Sequence, residues 1–160
     1  MMRIFSTGFV LAGVVCTPAP ISWVQTAPTT PKTVPPDVRD PRLTALRSFF
    51  AKADCPALPY STVFLEAADI YGLDWRLLPS LAYVESTGGK FAHNNNLFGW
   101  DSGRAHFDTP TQAIHHVGYR LAHSEHYKRK SLDRLLASYN RNADYAAKVK
   151  SVMRRIAAVK

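Results

Sequence analysis

The sequence predicts a mostly α-helical domain, and three observations support that fold class. Apolar residues recur three or four positions apart after residue 42, residues that begin and end helices flank those segments, and no run alternates as a β-strand does. Residues 91–108 lack helical periodicity and are predicted to form a long irregular loop or a short hairpin. We therefore expect about six helices, with this loop between the third and the fourth.

The first three helices follow from apolar stripes and flanking residues. The segment RLTALRSFFAKA carries one stripe, made of Leu43, Leu46, Phe49 and Phe50. The segment STVFLEAADIYGLD predicts a second helix that ends at Gly72, with the glycine in the left-handed cap conformation. Asp74 is suited to cap a third helix, WRLLPSLAYVES, whose first turn Pro79 should make irregular.

The last three helices follow the loop. Thr109-Pro-Thr-Gln112 forms a capping box with proline at the first helical position, which marks the start of a helix through AIHHVGYRLAHSEHY. The segments SLDRLLASYN and ADYAAKVKSVMRRIAAV predict two more helices. The apolar stripe of the last helix consists of Tyr145, Val149, Val152 and Ile156.

Residues 1–27 have the organisation of a secretory signal peptide. Their apolar run, from Phe9 to Val15, is too short to span a bilayer. Lipid anchoring through Cys16 is disfavoured, because the usual leucine and small residue do not precede it. Residues 28–41 are rich in Pro and Thr and predict an extended linker, which leaves residues 42–160 as the folded domain. We expect a protein exported to the bacterial periplasm or cell envelope, without stable membrane insertion.

The chain carries a net charge of +8, and the surplus lies near its C-terminus. Residues 119–160 contain eleven Lys and Arg against three Asp and Glu, a difference equal to the whole net charge. In an exported protein this pattern favours an anionic wall polymer over nucleic acid, although a solvated helix face explains it as well. Cys55 is the only cysteine after the leader, so no intramolecular disulfide is expected.

Glu85 is the first candidate catalytic residue. It falls at helical spacing after a row of leucines, namely Leu77, Leu78 and Leu81, so its side chain should face the core or a cleft wall. Burial and the negative end of the helix dipole both favour the protonated carboxyl and raise its pKa. Cleavage of a glycosidic bond requires such an acid, because the leaving oxygen must be protonated.

The residues after Glu85 are suited to a carbohydrate. Gly88 and Gly89 would end the helix and let the backbone approach a ligand closely. The side-chain amides of residues 94–96, including Asn95 and Asn96, offer donors and acceptors to hydroxyl and N-acetyl groups, and the rings of Phe98 and Trp100 offer stacking faces. A plain alternative is an exposed glutamate followed by a glycine cap and an asparagine turn.

Two segments resemble enzymes that act on peptidoglycan. ESTGGK followed by NNNLFGW resembles the E-S-x-x-G and N-N-L-F-G signature of bacterial N-acetylglucosaminidase domains of glycoside hydrolase family 73. LLASYNRNADYAAKV resembles the A-Y-N-x-G and Y-V-x-x-V segment of soluble lytic transglycosylases. The resemblance covers most of residues 60–156 and implies a lysozyme-like α-helical fold. The chain departs from it by lacking a G-L-M-Q segment and by having Asn142 where glycine follows Y-N-x.

The resemblance implies roles for individual residues. Glu85 would be the general acid, with Tyr139 and Asn140 beside it and the Tyr139 hydroxyl orienting or polarising its carboxyl. Phe107 would match an aromatic residue that follows N-N-L-F-G in the glucosaminidases. The segment that would shape the glycan side of the cleft is Asn96, Leu97, Phe98 and Gly99.

A second carboxylate is needed by a retaining or inverting glycosidase, and Asp101 and Asp108 are the candidates. Asp101 has a plain role as well, because it can begin a turn at Ser102-Gly103. If neither aspartate acts, the acetamido group of the substrate or its 6-hydroxyl would displace the leaving group. The sequence leaves these routes open.

The sequence predicts a monomeric peptidoglycan-cleaving enzyme without metal or cofactor, and it also suggests other functions. A metal site is suggested by four histidines on the predicted fourth helix, but no Cys or Asp completes a recognised ligand spacing; they are His115, His116, His123 and His126. A non-catalytic glycan-binding module would use the same cleft. Nucleic-acid binding is disfavoured because no stacking aromatic residues interleave the basic ones.

Overall fold

The computed structural model describes residues 39–159, and this part of the chain is mostly α-helical, as predicted. It contains no β-strand in that range, so residues 91–108 form the irregular loop, the first of the two predicted alternatives, as a series of turns. The predicted signal peptide, Cys16 and the linker up to residue 38 lie outside the described residues. The six helices are α1 Pro41–Lys52, α2 Ser61–Tyr71, α3 Leu77–Ser86, α4 Pro110–His123, α5 Leu132–Tyr139 and α6 Ala143–Ala157.

The sequence also predicted several helix ends. Gly72 adopts the left-handed conformation after α2, with φ +63° and ψ +37°. At the start of α4, the Thr109 side chain accepts a hydrogen bond from the Gln112 backbone N–H at 3.1 Å. The Gln112 side chain accepts in return from the Asp108 backbone N–H at 2.6 Å, one residue before the usual partner in a capping box.

Other boundaries differ from the prediction. Helix α1 begins at Pro41, which was assigned to the linker, because Asp40 caps the helix and proline suits its first position. Asp74 accepts from the Arg76 backbone N–H in a turn that precedes α3, so α3 itself begins only at Leu77. At its other end α3 stops at Ser86, with Thr87 in the left-handed cap conformation predicted for glycine.

Helix α3 lies at the centre of the packing. It packs mainly against α6 and also against α2, while α2 packs against α4 and α1. Phe64, Leu78, Leu81, Ile114 and Val149 are fully buried where these helices meet. The long connection from α3 to α4, residues 87–109, folds back over the end of α3. Phe98 anchors it in the core, where this residue is 1 % exposed. The core thus fixes both the end of α3 and the loop beside it.

None of the helices between residues 39 and 159 has the length and apolar character that crossing a bilayer requires.

Candidate functional site

A cavity of about 590 Å³ opens where the C-terminal end of α3 meets the loop. Helices α4 and α5 contribute its remaining walls. Its lining combines one glutamate with aromatic and polar groups: Glu85, Phe98, Gly99, Trp100, Asp101, Ser102, Arg120, Tyr127, Tyr139 and Asn140. Seven of these ten residues, all but Ser102, Arg120 and Tyr127, were among the predicted site residues.

The Glu85 carboxyl is partly buried and hydrogen-bonded on one side. The Tyr145 hydroxyl donates to Glu85 Oε1 at 2.6 Å. Burial raises the pKa of Glu85, and the hydrogen bond from Tyr145 lowers it by less, so the net shift is upward. The result is a carboxyl group at a cavity wall that holds its proton at higher pH than an exposed glutamate does. Such a group can donate a proton to a bound molecule.

The hydroxyl that contacts Glu85 belongs to Tyr145, whereas the resemblance implied this contact for Tyr139. The Tyr139 hydroxyl lies in the cavity wall but donates to the Phe98 backbone carbonyl at 2.9 Å, so it supports the loop. The two tyrosine rings stack, with centroids 5.9 Å apart and planes 8° from parallel. Burial raises the pKa of both hydroxyls, and the nearby Glu85 raises it further, so both remain donors. Tyr139 was therefore placed correctly beside Glu85 but given the wrong partner.

The glycine that approaches the acid is Gly99. A Cβ at this position would lie 3.1 Å from Glu85 Oε2, and its φ of +57° also favours glycine. Gly88 and Gly89, which were expected to face a ligand, face the protein instead. A Cβ at Gly88 would lie 2.7 Å from the Cys55 sulfur, and one at Gly89 would lie 3.1 Å from Leu97.

The asparagine side chains of the loop hydrogen-bond to the loop's own backbone. Asn96 is 4 % exposed, and its amide donates to the carbonyls of Trp100 and Ala105 while its oxygen accepts from the Trp100 N–H. Asn95 donates to the carbonyls of residues 107 and 108. Both amides were predicted to bind a ligand, but the loop has no regular backbone pairing and therefore uses them to satisfy its own polar groups. Asn140 does line the cavity, and its side-chain oxygen accepts from the Asn142 N–H.

Among the predicted aromatic and apolar residues, Trp100 is the one with a ring available to the cavity. It is half-buried and packs near Tyr127 and Tyr139 at centroid distances of 6.2 and 6.0 Å. The Phe98 ring packs edge-on against Phe64 in the core, so it cannot offer a stacking face. Two further residues predicted to contact the glycan also lie in the core: Leu97 and Phe107.

The two candidate second carboxylates lie in different places. Asp101 lines the cavity but is exposed, and its carboxylate is paired with Arg104 at 2.8 Å. It also begins the turn at Ser102-Gly103, since its carbonyl accepts from the Arg104 N–H. Asp108 lies at the start of α4, where its carboxylate is 3.5 Å from the Gln112 amide, and it does not line the Glu85 cavity. Glu85 is therefore the carboxyl group of this cavity without a cationic partner.

Two further cavities share walls with the first. One of about 530 Å³ shares Trp100, Asp101 and Arg120 and extends toward His116. The other, about 80 Å³, shares Glu85 and Gly99 and extends past Phe91, whose side chain is 72 % exposed. The three cavities therefore follow one another along a groove, and Glu85 lies between two of them.

The histidines do not converge. His115 and His123 both pack edge-on against the Tyr71 ring, and His123 also lies near the Tyr119 carbonyl. His116 packs on Trp100 and Phe107, and His126 lies near the Ser138 carbonyl. Burial lowers the pKa of His116, and the Arg120 charge lowers it further. Within residues 39–159, no group of three or more His, Cys, Asp or Glu side chains is arranged to hold a metal ion.

Sequence reasoning missed Tyr145, Arg120 and Tyr127. Tyr145 was assigned to the apolar stripe of α6, where it does lie, at 5 % exposure. Its hydroxyl was the available signal, because a buried tyrosine hydroxyl needs a partner and Glu85 is the acid predicted on a core-facing position. Arg120 and Tyr127 carry no comparable signal, because their place in the groove depends on how α4 and the segment after it pack.

No protein-family model matches the chain, and no curated protein matches it in sequence. Interpretation of the groove therefore depends on its own geometry and chemistry.

Proposed function

We propose that this protein is an exported, monomeric enzyme with a lysozyme-like fold that cuts the glycan strands of peptidoglycan. It would act as an N-acetylglucosaminidase or a lytic transglycosylase, with Glu85 as general acid. The observation that carries the proposal is the environment of Glu85: a partly buried carboxyl, with a raised pKa, at the wall of a groove beside Tyr145 and Trp100. The resemblance of ESTGGK and NNNLFGW to peptidoglycan glucosaminidases adds to it.

Glu85 would protonate the glycosidic oxygen as the bond to the anomeric carbon breaks. The proton leaves the carboxyl, the leaving sugar gains a hydroxyl, and Glu85 becomes a carboxylate that the Tyr145 hydroxyl stabilises. Because Tyr145 occupies Oε1, Oε2 is the oxygen suited to carry the proton. The absence of a Cβ at Gly99 keeps the space beside Oε2 open.

A second group must stabilise or capture the anomeric carbon. The ion pair between Asp101 and Arg104, and the position of Asp108 away from the cavity, favour a route that uses the substrate. The acetamido oxygen would attack in a glucosaminidase and be displaced by water, whereas the 6-hydroxyl would attack in a transglycosylase and form an anhydro sugar. The Glu85 carboxylate takes back a proton in both routes, from the water that displaces the acetamido oxygen in the glucosaminidase and from the attacking 6-hydroxyl in the transglycosylase.

A non-catalytic glycan-binding module is the second candidate. It is favoured by the same ion pair, because a groove with one unpaired carboxyl lacks the two carboxylates of a standard glycosidase. Such a module would use Trp100 and the groove for binding, and Glu85 would only accept or donate hydrogen bonds.

Mass spectrometry of purified peptidoglycan after incubation with the protein tests the proposal. A glucosaminidase would release fragments with a new N-acetylglucosamine reducing end, and a transglycosylase would release fragments lighter by one water. Glu85→Gln should reduce release by about 10²- to 10⁴-fold while retaining glycan affinity. Glycan binding without release by the unaltered protein would favour the binding module, and neither binding nor release would refute both candidates.

A further inference from the structure

Arg120 occupies a junction in the groove. It lies on α4, it is exposed, and it lines both the Glu85 cavity and the adjoining cavity of about 530 Å³. Trp100 lines the same two cavities. A chain passing from one cavity into the other would therefore pass the guanidinium group and the indole ring.

The Arg120 charge is not neutralised by a neighbouring carboxylate. Among residues 39–159, no Asp or Glu lies within ion-pair distance of its guanidinium, in contrast to Arg42, Arg76 and Arg104. Asp101, which lines the same two cavities, is paired with Arg104 instead. The Arg120 charge acts within the groove: burial lowers the pKa of His116 and the Arg120 charge lowers it further, whereas burial raises the pKa of Tyr127 and the Arg120 charge offsets part of that rise.

We propose that Arg120 and Trp100 form an anion subsite that binds a carboxylate carried by the substrate polymer. The inference rests on the proposed function and names the chemical group of the substrate, a carboxylate, that this part of the groove binds. A guanidinium binds carboxylates through two parallel hydrogen bonds, and a neighbouring indole face holds the sugar ring that carries the acid. Peptidoglycan presents such an acid on alternate sugars, either as the free lactyl carboxylate or as carboxylates of the attached peptide. Chitin oligosaccharides have the same backbone without acidic groups.

The test compares Arg120→Gln with the unaltered protein on two oligosaccharides of equal length. One is a peptidoglycan oligosaccharide and the other is a chitin oligosaccharide. We expect the ratio of kcat/KM on the acidic glycan to kcat/KM on the neutral one to fall about five- to tenfold, mainly through KM. Arg134→Gln is the matched control, because Arg134 is exposed on α5 and lines none of the three groove cavities. It should leave the ratio unchanged.

Two acidic substrates identify the source of the carboxylate. If Arg120→Gln lowers the kcat/KM ratio only with peptide-free glycan, the bound group is the lactyl carboxylate. If it lowers the ratio only with peptide-bearing glycan, the bound group is a carboxylate of the peptide. Arg120→Lys should recover part of the ratio, because it keeps the charge and loses the paired geometry. An unchanged ratio on both acidic substrates, with Arg120→Gln folded as judged by its melting temperature, would overturn the subsite.

Binding measurements keep this result separate from the failure of the proposed function. In a Glu85→Gln background, affinity for the acidic oligosaccharide should fall with added salt, and Arg120→Gln should reduce that salt dependence. These measurements do not require cleavage. If the unaltered protein cuts neither glycan, the proposed enzyme is refuted, whereas equal salt dependence with and without Arg120 refutes the subsite alone.

Discussion

The two walls beside Glu85 use their polar side chains in opposite ways. The helical wall is formed by the ends of α3 and α5, with the start of α6 behind them; it directs the Glu85 carboxyl at the cavity and supports it with the Tyr145 hydroxyl. The loop wall, residues 87–109, turns its asparagine amides inward, where they bind backbone groups of the loop. The wall that looks apolar in sequence therefore supplies the carboxyl group with the raised pKa, whereas the asparagines of the wall that looks polar satisfy the loop backbone.

The difference has a physical origin in the backbone. A helix satisfies its own N–H and C=O groups, so a polar side chain on its buried face is free to meet a partner or a ligand. An irregular loop leaves many backbone groups unpaired, and burying it requires side-chain amides to satisfy them. Substitutions of the loop asparagines should therefore lower the stability of the protein. Substitutions in the helical wall should instead impair proton transfer from Glu85.

The largest expected effect is on the loop wall. Asn96→Ala removes three hydrogen bonds and takes away the Asn96 partner of the Trp100 N–H and the Ala105 carbonyl, while the Trp100 carbonyl still accepts from the Gly103 N–H. We expect the free energy of unfolding to fall by about 3 kcal/mol, as measured by denaturant titration.

Asn94→Asp is the matched control for that substitution. Asn94 is exposed and left-handed, with φ +54°, a conformation that aspartate tolerates. Its stability should change by less than about 0.5 kcal/mol. Equal losses in the two variants would show that the Asn96 amide has no special part in the loop.

A smaller effect is expected from Tyr145→Phe in the helical wall. The hydroxyl lowers the Glu85 pKa, so its removal leaves burial unopposed and raises that pKa further. The basic limb of the pH profile of kcat/KM should move to higher pH, and activity should fall about tenfold because the carboxyl loses its positioning partner.

Tyr139→Phe separates the two stacked tyrosines. It removes the hydrogen bond to the Phe98 carbonyl and should lower the free energy of unfolding by about 1 kcal/mol. The basic limb of the pH profile of kcat/KM should stay where it is in the unaltered protein. A shift of the limb in Tyr139→Phe and none in Tyr145→Phe would restore the role that the resemblance assigned to Tyr139.

Glu85→Gln should raise the free energy of unfolding at neutral pH relative to the unaltered protein. Burial raises the folded pKa of Glu85 above its unfolded value, so the folded state holds the proton more tightly and loses stability as pH rises through that window. Glutamine carries no charge and avoids this loss. Denaturant unfolding at pH 7 and pH 4 should show the gain at pH 7 and little difference at pH 4; the reverse dependence would contradict a raised pKa.

The smallest effect is expected from Asp101→Asn. Its exposed ion pair with Arg104 contributes about 0–1 kcal/mol, and asparagine also tolerates the left-handed φ of +52°. Cleavage should change by less than about twofold. A loss of a hundredfold or more would identify Asp101 as a second catalytic carboxylate and would give the loop wall a direct part in the chemistry.

The helices could be predicted because their causes are local. Apolar stripes, the cap at Gly72 and the capping box from Thr109 all act within a few residues. The partly buried position of Glu85 followed from the same helical periodicity. Of the two alternatives predicted for residues 91–108, the irregular loop is found rather than the short hairpin, because the segment is organised by amide-to-backbone hydrogen bonds and not by strand pairing.

The site was less predictable because its contacts join distant parts of the chain. Tyr145 and Glu85 are 60 positions apart, and nothing near either residue reveals the other. The need for Gly88 likewise comes from Cys55, which packs against it from before α2. Resemblance placed Tyr139 in the right wall, but only packing decides which of two stacked hydroxyls reaches the acid.

The most direct measurement is the titration of the Glu85 side-chain carboxyl by carbon NMR in the full chain, with Glu85→Gln to assign the resonance. Our account predicts a pKa above the value of about 4.3 found for exposed glutamates, and a further rise in Tyr145→Phe. A carboxyl that titrates at or below that value, unaffected by the loss of the Tyr145 hydroxyl, would contradict the proton-holding acid at the centre of the proposed function.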